Sequence, residues 1–187
     1  MSNDRGHLGS GVVYEARLPL VWKALKAMPE PAQLASLNDH NETVLRTVLS
    51  LEEVGSEHSE EGAGSNQELV RIEAKINLVL NLVGQLLAAQ STIPAKVPVV
   101  LSADALEWSG ARLPAAEQPV LLELYLHPSY PRPLRLVGIS RPAGTASDRP
   151  NCRVEFRGLG EPAQEVLEKL IFRHHRRAVA QARARRD

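Results

Sequence analysis

The spacing of apolar residues changes character several times along the chain. Over 12–18 (VVYEARL), Val12, Tyr14, Ala16 and Leu18 alternate with Val13, Glu15 and Arg17. That period of two predicts a half-buried strand, which Leu20–Leu25 either prolongs or ends. Pro29 and Pro31 stop regular structure, and a helix is expected from about Ala32 to Glu53. Its apolar residues Leu34, Leu37, Val44, Val48 and Leu51 share a heptad seam, with Asn41 inside it. Asn41 either fixes register there or lies exposed. A second, more apolar helix is predicted over Gln67–Gln90, with Asn66 as N-cap. Leu69, Ile72, Ile76, Val79, Val83 and Leu86 form its a/d seam for about three repeats. Val70, Leu80, Leu82 and Leu87 widen the apolar surface beyond what one neighbouring helix covers.

From Lys96 the period returns to two. Short strands are expected over Val97–Leu101, Ala105–Trp108, Val120–Leu126, Leu134–Ser140 and Cys152–Phe156, the last with Cys152, Val154 and Phe156 inward. A final helix begins near Pro162, with Leu167, Leu170, Ile171, His174 and Ala178 on one stripe. The fold class is therefore α+β: a small antiparallel β-barrel, interrupted after its first strand by a long helical hairpin and followed by a C-terminal helix. Residues 1–11 are small, polar and expected to be disordered. Residues 12–31 and 92–187 make the barrel and last helix, and 32–91 make the hairpin. Gly55–Asn66 reads as a flexible acidic link within that hairpin. The surplus apolar surface calls for further helices, so the hairpin is expected to self-associate as a four-helix bundle, in a dimer or tetramer. Leu37, Val44, Val48 and Leu51 join Leu69, Ile72, Ile76, Val79, Val83 and Leu86 as the expected interface. A bundle closed within one chain is the alternative.

Composition narrows the function. Among 187 residues, 22 Lys and Arg balance 22 Asp and Glu, so no net charge draws the chain to nucleic acid or membrane. The charge is unevenly spread: the Glu52–Glu73 stretch is acidic, and Arg173–Arg186 carries six arginines. Those arginines complement the helix dipole, grip a phosphate group, or meet the acidic link of a neighbouring subunit. Nucleic acid is a further partner for such a tail, but no aromatic residues interleave with the arginines, which argues against single-strand stacking. Cys152 is the single cysteine, so no internal disulfide forms and a reducing cytoplasm fits. The opening MSNDRGHLGSG lacks a signal peptide's apolar core, and Asn77, Asn81 and Gln85 break the longest apolar run before it could span a bilayer.

No chemistry stands out. There is no Gly-x-Ser-x-Gly elbow, phosphate-cradling glycine loop or His-Glu-x-x-His pair. His174 and His175 are adjacent and diverge by about 100° on a helix, so they do not chelate one ion. His174 reads as a satisfied, half-buried histidine, and Cys152 as a small buried hydrophobe. No catalytic residue, metal or cofactor is expected.

The segments VPVVLSADALEW (97–108), PVLLELYL (119–126), LRLVGISR (134–141), CRVEFRGL (152–159) and the arginine-bearing last helix together resemble the PilZ domain family of bacteria. The resemblance covers Lys96–Arg177, with 12–18 in the place of the first strand. It implies a barrel that works in cyclic di-GMP signalling, in a family with ties to type IV pili and surface motility. The family's nucleotide is held by an Arg-x-x-x-Arg pair before the barrel and an Asp/Asn-x-Ser-x-x-Gly corner. In this chain only Ser102 of that corner is kept, between Val100 and Ala105, and no Arg-x-x-x-Arg precedes residue 100. Arg173 and Arg177 have the spacing, but on the last helix. The expectation is a non-enzymatic regulator that acts on an unidentified protein partner without holding the nucleotide. The alternative is a cyclic di-GMP receptor built from Ser102, Arg173 and Arg177.

Overall fold

The structure, a computed structural model, describes residues 12–54, 67–90, 93–142 and 151–184. In chain order the elements are β1 (Tyr14–Ala24), α1 (Pro31–Val54), α2 (Gln67–Gln90), β2 (Lys96–Leu101), β3 (Ala105–Ser109), β4 (Pro119–Leu124), β5 (Leu134–Pro142), β6 (Asn151–Phe156) and α3 (Glu161–Ala184). The six strands close an antiparallel barrel in the order β1-β2-β3-β6-β5-β4, the α+β architecture expected from the strand periods. The expected N-terminal disorder, the Gly55–Asn66 link and the Asn66 cap lie outside the described residues.

β1 is longer than its alternation suggests because it changes neighbour midway. Tyr14–Pro19 pairs with β2, ending at Pro19↔Lys96, and Leu20–Ala24 pairs with β4, starting at Leu20↔Leu124. One strand thus closes the barrel on both sides. Inside, Leu101, Leu106, Leu122, Leu124, Leu134, Leu136 and Val154 are almost wholly buried. The core continues without a break into Val44, Leu45 and Val48 of α1 and Leu167, Leu170 and Ile171 of α3.

That continuity places the seam of α1 in the barrel's own core. α1 packs on α3 and β5, and Val44 and Val48 are 0% and 1% exposed within a single chain. They cannot serve a neighbouring copy, because their seam is already filled by the barrel's own helix and strand. Leu37 and Leu51 are half-buried on the same helix. Asn41 is buried and has a specific task. Its Nδ2 donates to the Arg135 carbonyl at 2.7 Å, and its Oδ1 accepts from the Arg135 N–H at 2.8 Å. β6 pairs with β5 only from Gly138 onward, so the first residues of β5 need other partners on that side, and the side-chain amide stands in for a strand. Asn38 repeats the device one turn earlier, donating to the Gly158 carbonyl and accepting from the Gly160 N–H. Gly158 has φ 71°, and a side chain there would also press on Leu34.

α2 is different. Ile72, Ile76, Leu78, Val79, Leu80, Leu82, Val83, Leu86 and Leu87 are between 42% and 61% exposed. Gly84 is its one buried position among the described residues. A Cβ there would collide with the Ser129 carbonyl oxygen, so glycine lets α2 touch the turn after β4 backbone to backbone.

Candidate functional site

Three places carry the residues singled out in the sequence. The first is the corner between β2 and β3. Ser102 is 5% exposed and its hydroxyl is occupied locally: it lies 2.6 Å from Asp104 Oδ1 and accepts the Ala105 N–H at 3.0 Å. Ser102 N–H donates to the Ala105 carbonyl, so the corner is a self-contained turn. A groove of about 630 Å³ opens beside it, lined by Val12, Ser102, Ala103, Asp104 and, from α3, Glu165, Glu168, Lys169, Ile171 and Phe172. Three carboxylates and one ammonium make a poor seat for a dianionic dinucleotide.

The second place is the junction of β1, α1 and α3. His174 stacks on Tyr14, ring centroids 4.0 Å apart and planes 15° from parallel. Its Nε2 lies 2.8 Å from Glu52 Oε1, and Arg177 reaches Glu52 Oε2 at 3.3 Å. Arg173 donates to the Leu49 carbonyl near the end of α1, where a cation complements the helix dipole. Burial works to raise the Glu52 pKa, but the His174 hydrogen bond and the charges of His174, Arg177 and Arg173 outweigh it and hold the carboxyl below its usual value. Burial and the Glu52 charge raise the Tyr14 phenol, against Arg177. His174 is thus the satisfied histidine expected. Arg173 and Arg177 point at α1, and neither is among the groove's walls beside Ser102, so the structure does not gather the three into one ligand site. Ala178, expected on the packing stripe, is exposed, and the stripe ends at His174.

The third place is the α2 seam. Ile72, Ile76, Val79, Val83 and Leu86 are all exposed on it, and Leu69 belongs to the same helix. Cys152 is buried on β6 and desolvation pushes its thiol up to about 11, which keeps it protonated and unreactive. Among the described residues no cluster of His, Cys, Asp and Glu could hold a metal, and no helix is long and apolar enough to cross a membrane. Sequence reasoning missed Asn38, Glu52 as the hub of the junction, and Phe172. The first two are visible only once α1 is placed against the barrel.

A closed six-stranded antiparallel barrel with α1 and α3 packed on it is the frame that carries these places. The model of the atypical PilZ domain, described as a cyclic di-GMP receptor, matches residues 45–185, and the chain belongs to that family. No curated protein matches the chain. Among solved structures, the chain is similar to a protein of Xanthomonas campestris at 26% identity and TM-score 0.70, over 92% of this chain and 93% of that one. That protein is described as pathogenic, with a tetrameric PilZ domain self-assembled via an unusual helical bundle.

Proposed function

We propose that this chain is a non-enzymatic, self-assembling regulator of cyclic di-GMP signalling in the cytoplasm, with α2 as its assembly element and protein contacts as its output. The observation that carries the reading is the α2 surface, with nine large apolar side chains about half exposed. Completing their burial is worth on the order of 1 kcal/mol each, enough in sum to offset the cost of association only if several helices meet. A bundle of four α2 helices satisfies this, and the tetrameric Xanthomonas relative supports that number. The bundle needs α2 alone, since α1 already serves the barrel core. Scattering mass at micromolar concentration tests it: a tetramer is expected, Val79→Asp should reduce it to a smaller, folded particle, and a monomeric wild type overturns the reading.

The acidic groove beside Ser102 and the engagement of Arg173 and Arg177 with α1 support regulation without direct nucleotide binding. The family's description as a receptor favours the second reading, direct binding of cyclic di-GMP. Calorimetric titration of the wild-type protein with the dinucleotide separates the two. Heat at micromolar concentration, lost in Arg177→Ala, would establish the receptor. A pilus or motility role belongs to the same proposal and is tested by deletion and surface-motility assay.

A further inference from the structure

α3 carries a second exposed stripe, and three of its residues, Glu165, Glu168 and Phe172, also wall the groove beside Ser102. Taking Phe172 as reference on a helix of 3.6 residues per turn, Glu161, Glu165, Glu168, Arg176, Val179 and Arg183 all lie within about 40° of it. The buried Ala163 and Leu170 lie on the opposite side. All seven residues of this stripe are exposed, Phe172 by 52% and Val179 by 37%. Phe172 sits at the midpoint of a helix running Glu161–Ala184. On the stripe every acid precedes it and every base follows it. Arg176 lies over its ring, 5.9 Å from the centroid.

A surface that is acidic on one side of a central aromatic and basic on the other is complementary to itself rotated by half a turn. We propose that α3 pairs with α3 of a second copy, antiparallel, about a two-fold axis passing at Phe172. In that register Glu168 faces Arg176 of the second copy, Glu161 faces Arg183, and the Glu165 stem faces Val179. Each contact occurs twice by symmetry. The two helix dipoles oppose favourably. Two phenylalanines, two valines and four rim ion pairs make a weak, salt-sensitive contact on their own. Copies already assembled through α2 would present several such stripes at once, and multivalency strengthens the pairing without new contacts. The inference is independent of the α2 reading: it concerns another helix and another face.

Charge inversion in the full-length protein, at low ionic strength, is the test, read by sedimentation velocity. Glu168→Arg and Arg176→Glu should each weaken association on the order of tenfold, because each creates two like-charge contacts. Mixing the two variants should restore association. Positions 168 and 176 are both basic in the Glu168→Arg protein and both acidic in the Arg176→Glu protein, so the two contacts between unlike copies regain opposite signs. Register is checked by mild oxidation of Glu165→Cys mixed with Val179→Cys. The mixture should give a cross-linked heterodimer that neither variant forms alone. Repeating both measurements with Val79→Asp added separates the two interfaces: if α2 does not assemble, Val79→Asp leaves the mass unchanged while the α3 effects persist. Single charge variants that sediment like wild type, a mixture that fails to recover, or no cross-link would each overturn the pairing. So would stripe variants that lose only the binding of a basic apolar peptide, which would reassign the stripe to a different partner.

Discussion

Glu52 shows how one carboxylate can hold three elements together. It belongs to α1, receives His174 and Arg177 from α3, and through His174 fixes the Tyr14 ring of β1. Removing it as Glu52→Ala should cost about 2–3 kcal/mol, the scale of hydrogen bonds to a charged group, and thermal or urea unfolding measures it. Its folded pKa is depressed, so its stabilisation is complete above the ordinary carboxylate pKa of 4.5 and is lost as pH falls below it. Between about pH 5 and pH 3, wild-type stability should therefore fall more steeply than that of Glu52→Gln. Asn41→Ala leaves the Arg135 N–H and C=O without their partner and should cost about 1–3 kcal/mol by the same measurement. Neither residue declared its role in the sequence. A polar residue in a heptad seam says that something polar faces it, and nothing says that this is the open end of a strand some 94 positions away.

At the scale of elements, the two heptad helices look alike in sequence and have opposite fates. The seam of α1 is buried in its own chain, and that of α2 is bare. Periodicity reports that a helix has an apolar face and is silent on what covers it. The strands were more legible, since their inward residues, such as Cys152, Val154 and Phe156, follow from alternation alone. Even there the pattern faded after Leu18, where β1 exchanges β2 for β4. The difference between the helices is directly testable. Val44→Asp should prevent folding, because the charge enters a sealed core. Val79→Asp should leave the circular dichroism of the barrel intact and change only the particle mass. Gly84→Ala adds a methyl where the Ser129 carbonyl already stands, so α2 must shift from that turn. The expected result is faster amide exchange at 127–130, with barrel melting changed by less than about 1 kcal/mol.

For the whole molecule, the fold was legible in the order of periods and the family in the segments that carry the resemblance, such as 97–108 and 152–159, and the ligand site was not. The residues that could have formed it, Ser102, Arg173 and Arg177, are each engaged elsewhere: the serine in its own corner and the arginines on α1. Spacing alone cannot distinguish a guanidinium aimed at a phosphate from one aimed at a carbonyl of the next helix. The acidic lining of the groove beside Ser102 depends on bringing Asp104 together with Glu165 and Glu168, far apart in sequence. It makes a simple forecast for titration: cyclic di-GMP should give no heat at micromolar concentration with the wild-type protein.

The direct pairing of β1 with β2, on either side of the long helical excursion, has one more consequence. Every barrel bond that β1 makes is to a strand lying after residue 92, so a cut in the backbone between Val54 and Gln67 would sever none of them. Two polypeptides, one ending at Val54 and one beginning at Gln67, would share one core, the first supplying Leu18, Val44, Leu45, Val48 and Leu49, and should reconstitute the barrel when mixed.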